Sequence, residues 1–252
     1  MSIGSVSILY IFNNSIFLGD DLFFHKGRID GLAESFKNGN YFPKINYSYL
    51  KGFGYATGIF YSEFFLVIPA LLRVIGLSLS QVYIIFLVLI TFATFLVSYL
   101  VRYSFDKVKN KSILFSILYT FSTYRIATMI RRGALGETLA FIFLPLVLLG
   151  IYHIIFKDSK KWYLLTLGMT CLVLSHLIST LIAIVFVGCL SIINGKVLYN
   201  ERRRFYDLIK ATVATIGLTI FYFVPIGEQL IFQQLRVRNA PVFNISEEGL
   251  SL

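Results

Sequence analysis

Long apolar runs separated by short polar breaks dominate this chain, and their lengths set the first reading. Clear runs cover about Gln81–Val101, Ser112–Ile130, Thr138–Phe156 and Leu208–Ile226. A helix needs ~20 apolar residues to cross the hydrocarbon core of a bilayer, so each run predicts a membrane span. A membrane barrel would alternate apolar and polar positions, whereas these runs are continuous. The first run, Ile3 to Leu18, is interrupted by Asn13-Asn14. As a helix it reaches only ~24 Å, so it predicts a thin first span. With no basic residue before it, it makes a poor secretory signal. Ile59–Leu77 is apolar as well, but Glu63, Pro69 and Arg73 break it.

The stretch from Trp162 to Asn194 is too long for one straight span. It would run ~50 Å against a core of ~30 Å. Two short helices with a turn near Ser175-His176 fit. Charge supports that hairpin. "RYSFDKVKNK" (102–111), "KDSKK" (157–161) and "GKVLYNERRRFYDLIK" (195–210) are short basic loops, the kind that stay in the cytoplasm. They share one side only if 162–194 doubles back. The same parity lays Ile59–Leu77 along the outer surface. The expectation is an all-α polytopic helical bundle of about seven spans in the cell membrane. Its N-terminus is cytoplasmic and its C-terminus extracytoplasmic, and residues 19–80 form a long extracytoplasmic first loop with interfacial helices.

Composition agrees with a membrane solvent. The hydrophobic fraction is 57% and only 14% of residues are charged, about half the charged share of a soluble domain. The net charge of +10 is accounted for by the basic loops, so no nucleic-acid partner is inferred; the lipid bilayer is the expected partner. Cys171 and Cys189 sit in apolar runs without CxxC or His spacing, and neither a disulfide nor a metal site follows. No cofactor is called for, and a divalent cation near Asp20 and Asp21 has no motif behind it. The spans carry no chain of acids of the kind that couples ions in transporters.

One loop goes against the sorting rule. "RRGALGE" (131–137) places Arg131 and Arg132 on the side opposite the basic loops, where two arginines suggest a bound anion or headgroup contact. The first loop adds a second cluster. After Gly19, the stretch "DDLFFHKGRIDGLAESF" reads as a helix with Asp20 as its cap. Asp21, His25 and Arg28 then fall at i, i+4 and i+7 on one face. Leu22, Phe23, Ile29, Leu32 and Phe36 are left to lie on the bilayer. Glu137 would start the next helix or orient an arginine, and His176 lies at the hairpin turn on the same side.

The segments "DLFFHKGRI", "FYSEFFLVIPALL", "YRIATMIRRGALGETLAFIFLPLVLL" and "LSHLIS", in that order, resemble bacterial proteins described as carrying a 6-pyruvoyl-tetrahydropterin-synthase-related membrane domain. More widely, the chain is similar to C-type (GT-C) glycosyltransferases and YfhO-type membrane proteins, over roughly residues 15 to 230. That resemblance implies a GT-C-like membrane domain at 1–230, with 231–252 beginning an extracytoplasmic segment of a longer protein. It implies transfer of a sugar from a polyprenyl-phosphate carrier to a cell-envelope glycan at the outer face. An acid just after the first span would be the catalytic base, which is Asp21 in the D-x-x-F-H register, with Asp20 beside it. Substrate binding would fall to His25, Arg28, Arg131, Arg132, Glu137 and His176. A non-catalytic module that binds or moves a lipid-linked intermediate is the alternative.

Overall fold

The computed structural model describes residues 19–233. The first expected span, Ile3 to Leu18, and the segment from 234 onward lie outside the described residues. Within them every regular element is a helix, and the one β-bridge, Asn46 with Tyr55, is isolated. Helix α1 (Leu22–Lys37) is followed by an irregular segment holding a one-turn helix, Thr57–Phe60. After a 3-10 turn at Phe64–Leu66 comes α2 (Val67–Val74), a short helix within Ile59–Leu77 that buries Pro69 and Ala70.

Helix α3 (Leu79–Asp106) opens with a capping box, Ser78 Oγ accepting from the Gln81 amide while Gln81 Oε1 accepts from the Ser78 amide. The next run is bent. Helix α4 (Lys109–Thr120) meets α5 (Thr123–Ala127), which continues as a π turn at Thr128–Arg132, at an angle of 41°. Arg125 explains the break. It is fully buried, and its guanidinium donates to the Thr120 carbonyl (2.9 Å) and to the Thr91 and Thr94 hydroxyls (3.3 Å each). One of the carbonyls that a helix end leaves unpaired is satisfied in this way. Small residues line the α3–α4 contact: Thr94, Ser98, Ser112, Ser116 and Thr120 are all fully buried. They permit close helix approach.

Helices α6 (Leu135–Phe156) and α7 (Tyr163–Val173) pack backbone to backbone. A Cβ on Gly150 would lie 2.3 Å from the Leu165 amide nitrogen, and one on Gly168 would lie 2.8 Å from that of Val147. After the turn at 174–176, α8 (Leu177–Ile193) doubles back, bringing Ala183 into the core that holds Ala140 and Val147. Trp162–Asn194 is therefore a hairpin. Helix α9 (Gly195–Asn200) leads into α10 (Arg202–Phe232), which returns along the bundle. Its contacts run in order from Arg204 on the Ile154 carbonyl (2.8 Å), through Asp207 on Ser159 (2.7 Å), to Tyr222 on the Phe60 carbonyl (2.8 Å).

Two ends result. The breaks after α3, α6 and α8, which carry the basic loops, gather at one; the first loop, the "RRGALGE" segment and the hairpin turn gather at the other. By length and composition α3, α6 and α10 can each cross a membrane, and the bent α4–α5 pair makes a fourth. The legs of the hairpin are shorter than these. The architecture is that of an all-helical membrane protein.

Candidate functional site

Backbone contacts weld three distant segments together. The Asp21 amide donates to the Arg132 carbonyl at 3.0 Å. Gly133 follows Arg132 with a left-handed φ of +66°, and a Cβ there would lie 3.2 Å from the Leu22 amide nitrogen. On Gly19 a Cβ would lie 2.9 Å from the Gly133 nitrogen, and on Gly136 it would lie 2.8 Å from the Ser175 carbonyl oxygen. Glycine is required here because backbone meets backbone. The start of the first loop, the arginine turn and the hairpin turn thus form one patch.

On this patch Arg132 Nη1 donates to Glu137 Oε2 at 2.8 Å, and the Tyr124 hydroxyl donates to Glu137 Oε1 at 2.5 Å. Glu137 is mostly covered, its side chain 12% exposed, while that of Arg132 is 49% exposed. The carboxylate therefore fixes the arginine and leaves the outer part of its fork to solvent. Arg131 is exposed, and its side chain has no hydrogen-bond or ion-pair partner among the described residues. His176 caps α8, its Nδ1 accepting from the Ser179 amide at 3.3 Å. Glu137, Arg132 and Asp21 lie close enough for their charges to act on its imidazole. The π turn through Thr128–Arg132 ends in this patch, and such turns concentrate at functional sites.

Several expectations for the first-loop helix need correction. Asp20 is not the cap; α1 starts one residue later, with Asp21 in the cap position and no side-chain cap bond. Both carboxylates are exposed, so capping takes up neither. Asp21, His25 and Arg28 do not form one solvent-facing triad, because His25 and Arg28 are buried, with 6% and 4% exposure. Nor does the apolar side of α1 rest on lipid. Leu22, Ile29, Leu32 and Phe36 pack into the core with Leu66, Ala70, Val82 and Leu139, and of the five only Phe23 stays exposed. The cause is tertiary: the segment after α1 folds back over the opposite face of the helix, with Asn46 Nδ2 donating to the Gly27 carbonyl (3.1 Å) and the Tyr49 hydroxyl to that of Phe24 (2.7 Å).

Arg28 instead forms a buried knot. It donates to the Ser62 carbonyl at 2.8 Å, approaches His25 Nδ1 at 3.5 Å, and lies over the rings of Phe24 and Tyr61 at 5.7 and 5.3 Å. Its Nε is buried without a partner among the described residues. Burial, then the charges of Arg28 and His176, holds the His25 imidazole down at about 3, so this histidine is neutral. Glu63 completes the knot. Burial raises its carboxyl above the ordinary value, the Arg28 charge opposes that shift, and Thr57 Oγ1 donates to it at 3.4 Å.

Glu63, Tyr124, Tyr222 and Arg125 were not singled out from the sequence. In the sequence Glu63 interrupts an apolar run, and an acid in such a run is itself a signal. Arg125 sits inside "SILFSILYTFSTYRIATMI" and carried the same signal. Tyr124 and Tyr222 had none, because their partners are distant in the chain. Among the described residues no group of three or more His, Cys, Asp or Glu is placed to hold a metal ion. Cys171 and Cys189 are free thiols. Comparison with family models, with curated proteins and with solved structures gives no match for this chain.

Proposed function

We propose that the patch formed by Asp21, Arg132, Glu137 and His176 binds the phosphate of a lipid-linked sugar at the outer face of the membrane, and that Asp21 serves there as a general base. The reading supposes a GT-C-like bundle of about seven spans, completed by Ile3–Leu18, with the basic loops in the cytoplasm. In the transfer step an acceptor hydroxyl gives its proton to the Asp21 carboxylate and its oxygen bonds to the anomeric carbon. The bond from that carbon to the phosphate oxygen breaks, and the leaving polyprenyl phosphate keeps the electron pair. Arg132 would hold that phosphate, since a guanidinium fork matches phosphate oxygens. The observation that carries the reading is the 3.0 Å bond from the Asp21 amide to the Arg132 carbonyl. An exposed acid and an exposed cation are thereby fixed to one backbone junction.

A second reading, a module that binds or moves the intermediate without chemistry, draws on a different fact. Arg132 is already held by Glu137, and that arrangement does not involve the Asp21 side chain. Asp21→Asn separates the two. Loss of sugar transfer from a polyprenyl-phosphate donor by at least ~100-fold, with carrier binding kept, is the enzyme result. Unchanged transfer rejects Asp21 as base. If transfer is absent in the native chain while carrier binding falls in Arg132→Gln and Glu137→Gln, the binding module stands. Single cysteines at Lys26, Lys109, Arg132 and Lys196, in a background lacking Cys171 and Cys189, test the orientation. Impermeant reagents should reach only positions 26 and 132 from outside.

A further inference from the structure

A cavity of about 690 Å³ opens on the side of the bundle between α3, α4, α6 and α8, away from the patch described above. Its walls include Phe115 of α4, Leu144 and Leu148 of α6 and Phe186 of α8. The size is that of a ligand site, and the lining chemistry is almost wholly apolar. Two groups that would make it polar are occupied or missing. Pro145 lies in the wall and has no amide hydrogen, which leaves the Phe141 carbonyl without its helical donor. The Tyr119 hydroxyl supplies that donor instead, at 2.9 Å, and so points at backbone.

Among the described residues, charged groups enter the lining at one place only, the last turn of α3. There Arg102 Nη2 donates to Asp106 at 2.7 Å, with the Arg102 side chain 26% exposed. That bond uses one of the five N–H groups of the guanidinium. Lys107, Lys109 and Lys111 follow on the surface, and Asp106 is the only acid between 102 and 111. An apolar slot therefore leads to a rim where four cations, Arg102, Lys107, Lys109 and Lys111, face one acid, Asp106, at the end that carries the basic loops.

We infer that this cavity takes a hydrocarbon chain of an anionic glycerophospholipid, with the lipid phosphate against Arg102 and the lysines beside it. A zwitterionic lipid would fill the slot equally well, but its own ammonium offsets what its phosphate gains from the rim; a net anionic headgroup keeps the full charge-assisted attraction. This inference does not depend on the proposed function, because no residue of the patch contributes to it.

The test uses the full chain purified in detergent, given phosphatidylglycerol or phosphatidylcholine, with bound lipid counted by native mass spectrometry. One phosphatidylglycerol per chain should be retained, about ten-fold in preference to phosphatidylcholine. Arg102→Gln should remove most of that preference, a tenfold change being about 1.4 kcal/mol. Leu148→Trp, at a half-exposed wall position, should displace both lipids while helical content stays unchanged. Ile182→Trp, on the opposite wall, repeats the test should the first variant fold poorly. Equal retention of the two lipids, a preference that survives Arg102→Gln, or retention that survives both tryptophans would overturn the inference. So would stronger retention of a polyprenyl phosphate than of phosphatidylglycerol.

Discussion

The two ends of the bundle use charge differently. At the basic end most ion pairs are local, one turn apart on one helix: Arg102 with Asp106, Arg204 with Glu201, Lys210 with Asp207. Such pairs contribute little to stability. At the opposite end the cations reach across the fold. Arg28 holds the Ser62 carbonyl and Arg73 holds Asp30 at 2.7 Å. The ion pairs of the basic end are thus mostly local, with its long reach made by Arg204 on the Ile154 carbonyl, whereas at the other end the Arg73–Asp30 ion pair itself joins distant segments.

Glycine substitutions should expose that contrast most strongly. Gly133→Val forces a β-branched residue into a left-handed conformation and against Leu22. A cost of about 3 kcal/mol follows, read as a lower unfolding midpoint in detergent. At the basic end, Gly195 begins α9 with open space around its Cβ position. Gly195→Ala should change stability by less than about 1 kcal/mol, in the stabilising direction. Equal effects of the two would erase the distinction between the ends.

Arg28→Met comes next. It removes the Ser62 bond and the ring contacts and takes from the buried Glu63 the stronger of the two cations that act on it, leaving Lys44. Denaturant unfolding should show a loss of about 2 kcal/mol, and Glu63→Gln in the same chain should recover part of it. If the double variant is no better than the single, the two groups are not coupled.

The third measurement is pH dependence. The His25 value in the folded chain, about 3, lies below its ordinary 6.5. Stability from keeping this ring neutral is thus complete above pH ~6.5 and is lost as pH falls toward 3, because the unfolded chain takes up the proton first. By pH 5 the loss amounts to ~2 kcal/mol. His25→Gln should flatten the curve between pH 6.5 and 5, and an unchanged slope would remove His25 from the account.

Much of the frame was legible in the residues. Of the seven expected spans, the four set by the longest apolar runs followed from run length, one of them as a bent pair, and the Trp162–Asn194 hairpin followed from length together with the placement of lysines. The residues of the patch were legible as outliers: two arginines on the side that the other basic loops avoid, and two acids at a helix start. The bend at Phe121-Ser122 was not legible, because Arg125 can stabilise it only with Thr91 and Thr94 supplied by α3. The fate of α1 was not legible either. Helical spacing puts His25 and Arg28 on one face, but it cannot say what that face meets.

By itself, then, the sequence determined an all-helical chain for an apolar solvent, with its basic loops on one side, because run length and charge act locally. Only the tertiary structure decided which charges are exposed and which are enclosed. The segment at 40–63 folds over α1, and Gly19, Gly133 and Gly136 let three backbones touch. Burial and the pairing of distant backbone groups depend on what comes near, and proximity is a property of the whole fold.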